Sequence, residues 1–200
     1  MAGLGYRRGR GTGWASTVSA RWRTTIPSTT ERTTTPTRPG RNLYTLIPAA
    51  PGGTLRRITH LTDGEVFDPE PSYDGRRILF SMRRDGEDWF NLYEIGAKGT
   101  ELVQLTDGPW DDVEPTYLPD GGIVFSSTRR RGYARCFGPQ FSRRWDIYTL
   151  YRMGGDGRKI RQLSCHDTNE WFPTVSNTGH VLYARWDYMD RDAVTHQNLW

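Results

Sequence analysis

Leu105–Ser127 reads LTDGPWDDVEPTYLPDGGIVFSS, and close variants stand on both sides of it: LTDGEVFDPEPSYDGRRILFS at Leu61–Ser81 and LSCHDTNEWFPTVSNTGHVLYA at Leu163–Ala184. Counted from Leu61, Leu105 and Leu163, an acidic residue follows seven positions on (Asp68, Asp112, Glu170) and a proline ten positions on (Pro71, Pro115, Pro173). A unit this short cannot bury its own apolar face, so copies must stack as in a propeller or solenoid.

Working outward, a second pattern accompanies each copy. Asn42-Leu43-Tyr44 leads through Pro51-Gly52-Gly53 to Leu55–Leu61, Asn91-Leu92-Tyr93 through Gly96–Gly99 to Leu105, and Asp146-Ile147-Tyr148 through Gly154–Gly157 to Leu163. A further start, Asn198-Leu199-Trp200, closes the sequence. Each unit therefore reads as four short antiparallel strands joined by turns with glycine where a positive φ is needed. Leading leucines are 44 and then 58 residues apart, and the first spacing fits a four-stranded propeller blade. The excess falls in Thr128–Trp145, TRRRGYARCFGPQFSRRW, and the matching stretch Arg185–Gln197 is also long. The expectation is an all-β chain: a partial β-propeller of about three to four four-stranded antiparallel blades over 42–200, in units near 42–60, 61–104, 105–162 and 163–200.

Residues 1–41 hold eight arginines against the single acid Glu31, and have too few apolar positions to offset the entropy of ordering. They read as a disordered basic Thr/Pro/Arg-rich tail. The whole chain is +4, so this tail leaves the repeats mildly acidic with scattered arginines, which argues against nucleic-acid binding. No apolar run is long enough to span a bilayer. Residues 1–41 lack the apolar core of a secretory signal, so either the protein is cytosolic or residue 1 is not the natural start.

The unit running from Leu-Thr-Asp-Gly through Pro, Asp-Gly, Ile-x-Phe-Ser and Asn-Leu-Tyr to Gln-Leu resembles the WD40-like (PD40) repeats of TolB-type propellers. Asp63–Met82, Leu105–Arg129 and Asn169–Trp200 are similar to the middle domain of the hydrazine synthase alpha subunit family. That resemblance implies a periplasmic or extracellular propeller, in the founding enzyme part of a multihaem complex. Covalent haem attachment needs Cys-x-x-Cys-His, and here Cys165-His166 has no second cysteine three positions earlier. No haem cofactor is expected within these residues.

Cys165, His166, Asp167 and Glu170 offer soft and borderline ligands in one loop. A metal ion held by Cys165, His166, Glu170 and His196, with Asp187 or Asp190 completing the set, is weighed against a purely structural loop. The recurring acids Asp68, Asp112 and Glu170 are expected to accept backbone N–H bonds in each leading turn. On the long loops, Arg131, Tyr133, Trp186, Asp187, Tyr188, Asp190 and Arg191 combine aromatics with charge, a composition suited to protein or glycan contact. No Gly-x-Ser-x-Gly elbow, phosphate-binding loop or His-Glu-x-x-His helix occurs. These residues point to a non-catalytic binding or scaffolding segment that contacts a protein or glycan partner, or the remaining blades and domains of a longer protein. The alternative is the middle domain of a haem- or metal-dependent oxidoreductase related to the hydrazine synthase alpha subunit.

Overall fold

The computed structural model describes residues 17–18, 40–132, 146–187 and 197–200. Among these described residues the elements are all strands, arranged in four antiparallel sheets. The first holds β1 (Thr17–Val18), β2 (Tyr44–Ile47) and β3 (Thr54–Arg57). The second holds β4 (Glu65–Pro71), β5 (Arg77–Arg83), β6 (Asn91–Gly96) and β7 (Val103–Gln104). The third holds β8 (Asp112–Tyr117), β9 (Gly122–Ser127), β10 (Thr149–Gly154) and β11 (Arg161–Gln162). The fourth holds β12 (Glu170–Val175), β13 (Val181–Trp186) and β14 (Gln197–Leu199). The sheets are the blades of a partial propeller, though the first and last are three-stranded among the described residues. Apart from Thr17–Val18 and Gly40–Arg41, the basic tail lies outside the described residues.

Blades pack face to face through three apolar layers. Leu43 and Ile58 of the first blade meet Ile78, Phe80, Met82, Tyr93 and Ile95 of the second. Leu79 and Leu92, on the other face of the second, meet Ile123, Phe125, Tyr151 and Met153. Between the third and fourth lie Ile147, Tyr148, Trp171 and Trp186, with Val113 against them. The stacked pair Phe80–Tyr93 recurs one blade later as Phe125–Tyr151, with centroids 6.1 and 6.0 Å apart. Burying each such side chain contributes roughly 1.5–3 kcal/mol, which makes these layers the main source of cohesion.

Polar repeats show which positions are truly equivalent. The N–H groups of Leu43, Leu92 and Leu150 each donate at 2.9 Å to a hydroxyl, of Thr59, Thr106 and Ser164 respectively. The residue two before each hydroxyl reaches over it: Arg57, Gln104 and Gln162 donate to the carbonyls of Thr59, Thr106 and Ser164. Ile58, Leu105 and Leu163 are therefore the matching apolar positions. Leu61, expected to be the counterpart of Leu105, lies three residues too late. The Leu61-Thr62-Asp63-Gly64 segment is instead organised by Asp85, whose carboxylate accepts the hydroxyl of Thr62 and the N–H groups of Thr62, Asp63 and Gly64. The same register places Thr149-Leu150-Tyr151, and not Asp146-Ile147-Tyr148, opposite β9 as Asn91-Leu92-Tyr93 is opposite β5.

Replacing Thr106 with Val keeps its shape and removes the acceptor for the buried Leu92 N–H. The expected loss is about 1–3 kcal/mol, read as a lower urea midpoint, with Thr106→Ser close to the parent.

Candidate functional site

The first strand of each repeat, at the sheet edge, carries a bulge. Register slips between Phe67 and Glu70, between Val113 and Thr116, and between Trp171 and Thr174. Inside each slip a non-glycine residue takes a positive φ, Asp68 at 51°, Glu114 at 55° and Phe172 at 53°, and a proline follows it. Proline fits here because a bulge at a sheet edge asks for no ladder donor. The equivalent prolines are thus Pro69, Pro115 and Pro173; Pro71 is displaced by two positions. The matching acid positions become Asp68, Glu114 and Phe172 in one row and Val66, Asp112 and Glu170 in another.

That corrected register changes the chemistry. The Asp68 carboxylate accepts the N–H of Glu114 at 3.2 Å, and the Glu114 carboxylate accepts the N–H of Phe172 at 2.7 Å, so each bulge grips the next blade's bulge. Ser126 adds a hydroxyl to Glu114 at 2.8 Å. Among the described residues Asp112 and Glu170 accept no such backbone donors. Asp112 is fully buried, taking the Ser127 hydroxyl at 2.6 Å and pairing with Arg129 at 2.7 Å, while Glu170 accepts the Ser164 hydroxyl. Burial pushes the Glu114 carboxyl up to about 8, with the Asp68 charge adding to it, and burial pushes Asp68 up to about 6 against the pull of the Glu114 N–H. Glu70, on the same strand as Asp68, is also raised by burial.

A second grouping lies at one end of the blades. Antiparallel order sends the segments before β8 and β12 and those after β9 and β13 to the same end, so both long loops emerge there together with Cys165-His166. Trp110 sits in this region with its Nε1–H donated to the Asp107 carbonyl at 3.0 Å. Arg129 and Arg131 lie over its ring at 4.6 and 5.6 Å from the centroid. Arg130 donates to the His166 carbonyl, joining the insertion to the neighbouring blade's leading loop. Trp110 was not among the residues singled out from sequence. The signal was present as a large aromatic where the aligned copies carry Gly64 and Thr168, but it needed the structural register to be seen.

The candidate ligands divide. His166 has its Nε2 3.4 Å from Asp187 and 3.8 Å from Asp167, and its Nδ1 2.8 Å from the Thr168 hydroxyl. Asp187 also accepts Arg185 at 2.7 Å. Cys165 is an exposed free thiol, and Glu170 is buried against Ser164. Among the described residues no three His, Cys, Asp or Glu side chains gather as a ligand set. Trp186 is buried between the third and fourth blades, its carbonyl accepting the Thr168 hydroxyl, so it belongs to the packing and not to an exposed contact surface. Tyr133, Tyr188, Asp190, Arg191 and His196 lie outside the described residues.

Solved structures resemble this fold. TolB from Agrobacterium tumefaciens superposes with a TM-score of 0.58 at 22% identity, over 79% of this chain and 51% of that one. Hydrazine synthase of Kuenenia stuttgartiensis gives 0.58 at 17% over 72% of this chain and 24% of that one, and TolB from Acinetobacter baumannii gives 0.54 at 17% over 79% and 34%. The chain spans about half or less of each. No family model and no curated protein sequence matches it. At these identities the likeness establishes a TolB-like β-propeller fold.

The raised carboxyls predict a pH dependence of stability. In the folded chain Glu114 and Asp68 hold protons that the unfolded chain releases near its ordinary values of 4.5 and 3.8, so stability falls as pH rises from there through about 6 and then about 8. Glu114→Gln, which still accepts the Phe172 N–H, should flatten the upper part of that decline in urea midpoints measured from pH 5 to 9 (roughly the window set by linkage). An unchanged slope would remove the assignment.

Proposed function

We propose that this chain is a non-catalytic binding or scaffolding propeller segment that meets a protein partner outside the cytoplasm through the end of the blades bearing Trp110, Arg129 and Arg131. The observation that carries the reading is the Trp110 ring beneath two guanidinium groups, one of them on the exposed Arg131, at the root of the longest insertion. Aromatic and arginine side chains held by neighbours lose little freedom on binding, which is why they dominate the energetics of interfaces. Arg129 is fixed from behind by the buried Asp112, so the pair presents itself with its geometry already set. A glycan is the second ligand class such a ring could serve, through stacking on Trp110. The likeness to two TolB structures supports an exported setting for the same reading.

Photo-crosslinking in intact cells tests this. A crosslinkable residue at Arg131 should give one defined adduct, with far less from position Thr178 in the turn at the opposite end of the blades. Trp110→Ala should reduce the adduct about tenfold or more, the scale of an interface anchor. Equal labelling from both ends would overturn the reading, and binding on a glycan array that Trp110→Ala abolishes would move the ligand to carbohydrate. Fractionation of the same cells reports the compartment.

A further inference from the structure

The turns at the other end of the blades differ in charge from one junction to the next. In the second blade Arg77 is placed opposite Gly96, and its guanidinium bridges Glu94 and, at 3.3 Å, Glu101. Tyr117 of the following blade donates its hydroxyl to Glu94 at 2.7 Å. One cation, two carboxylates and one phenol close that junction.

The third blade has the same backbone there. Gly154 pairs with Gly122 as Gly96 pairs with Arg77, and the Gly154 N–H closes on Arg158 as the Gly96 N–H closes on Thr100. Glu101 and Lys159 occupy the same turn position, each with φ of 57°. Position by position, Glu94 becomes Arg152, Glu101 becomes Lys159, Val103 becomes Arg161, and the bridging Arg77 becomes Gly122, which has no side chain. Both carboxylates are replaced by cations and the group that neutralised them is gone. Tyr117 has Val175 as its counterpart, so the phenol that reaches Glu94 has no equivalent at this junction.

Arg152, Met153, Gly154, Lys159 and Arg161 line a cleft of about 380 Å³ at this place. Arg152 and Arg161 stand directly opposite each other across β10 and β11, an arrangement of like charges that destabilises a sheet unless something negative lies between them. Arg152 reaches Asp120 at 2.5 Å, and Arg158 has Asp156 at 4.0 Å. The side chains of Lys159 and Arg161 meet no acidic or hydrogen-bonding partner among the described residues.

We propose that this cleft binds an anionic group, a phosphate or carboxylate, which does at the third junction with reversed sign what Arg77 does at the second. Arginine offers a planar fork that matches both oxyanions, and lysine adds a point charge. Met153 and the aliphatic stems of the three cations give the walls an apolar character, so the anion is carried on a small organic molecule or a lipid headgroup. The site is on the end of the blades opposite Trp110 and is independent of the partner surface proposed there.

The experiment titrates the full chain with inorganic phosphate at constant ionic strength, by calorimetry, beside sedimentation with vesicles of phosphatidylglycerol mixed with phosphatidylcholine. Saturable phosphate binding, weakened about tenfold or more in the Lys159→Glu/Arg161→Glu double variant, with vesicles unbound, places a soluble anion in the cleft. Vesicle binding lost in the same variant assigns the anion to a headgroup. Both substitutions are at exposed positions, and Lys159→Gln/Arg161→Gln should reproduce the loss with an unchanged urea midpoint. Equal responses of parent and variants to both probes, or a phosphate response matched by sodium chloride, would overturn the site.

Discussion

The hydrogen bond from the Glu114 N–H to the Asp68 carboxylate, repeated from the Phe172 N–H to Glu114, is the constraint on which the inner part of the molecule depends. Strands at a sheet edge leave donors that must be satisfied or they become sites for unwanted pairing. A bulge with proline after it bends each inner strand and leaves one donor projecting; the previous blade supplies the acceptor. The apolar layers between blades are non-directional and would tolerate some sliding. A carboxylate gripping one particular N–H sets the step from blade to blade. The row ends at Phe172, whose side chain accepts nothing and is 47% exposed.

The same device separates what two superficially similar carboxylates do. Asp112 sits two residues before Glu114 in the same strand, and its buried charge is matched by Arg129. Removing one member of a buried pair leaves the other uncompensated, which is far more costly than the net worth of the pair. Arg129 therefore cannot wander, and the Trp110 ring it covers is fixed at the base of the insertion. An element needed for folding thereby positions an element available for binding.

Much of this architecture was legible in the sequence because propellers advertise themselves through period. The four-stranded second and third blades and their antiparallel meander order follow from turn residues and repeated apolar runs, whereas the pairing of Thr17–Val18 with β2, inside a stretch read as disordered, does not. Register was less legible. Leu61-Thr62-Asp63-Gly64 matches Leu105-Thr106-Asp107-Gly108 letter for letter, yet Thr106 takes a strand N–H whereas Thr62 is held by Asp85. Identical letters satisfied different donors, and the true counterpart, Ile58-Thr59, shares only the threonine and an apolar neighbour. At the bulge the letter match from Leu61 and Leu105 is two residues out, which sets Asp68 beside Asp112 and Glu170 although its structural counterpart is Glu114. Trp186 departs from expectation for a different reason: an aromatic beside a charged loop reads as exposed in sequence, whereas here Trp171 and Ile147 pack against it.

Positions that recur with the same chemistry, such as the hydroxyls of Thr59, Thr106 and Ser164, answer a requirement every blade has. Positions where the backbone is conserved between blades and the side chains are inverted answer to something else. Glu101 and Lys159 share a strained left-handed conformation, so the turn itself imposed no choice of sign. Folding alone would have been served by another Arg77 with two carboxylates around it, the arrangement already present one blade earlier. The third blade instead sets Lys159 and Arg161, which have no acidic partner among the described residues, beside an Arg152 that Asp120 already pairs, a departure that costs cohesion locally and is intelligible when the remaining counter-charge comes from outside the chain.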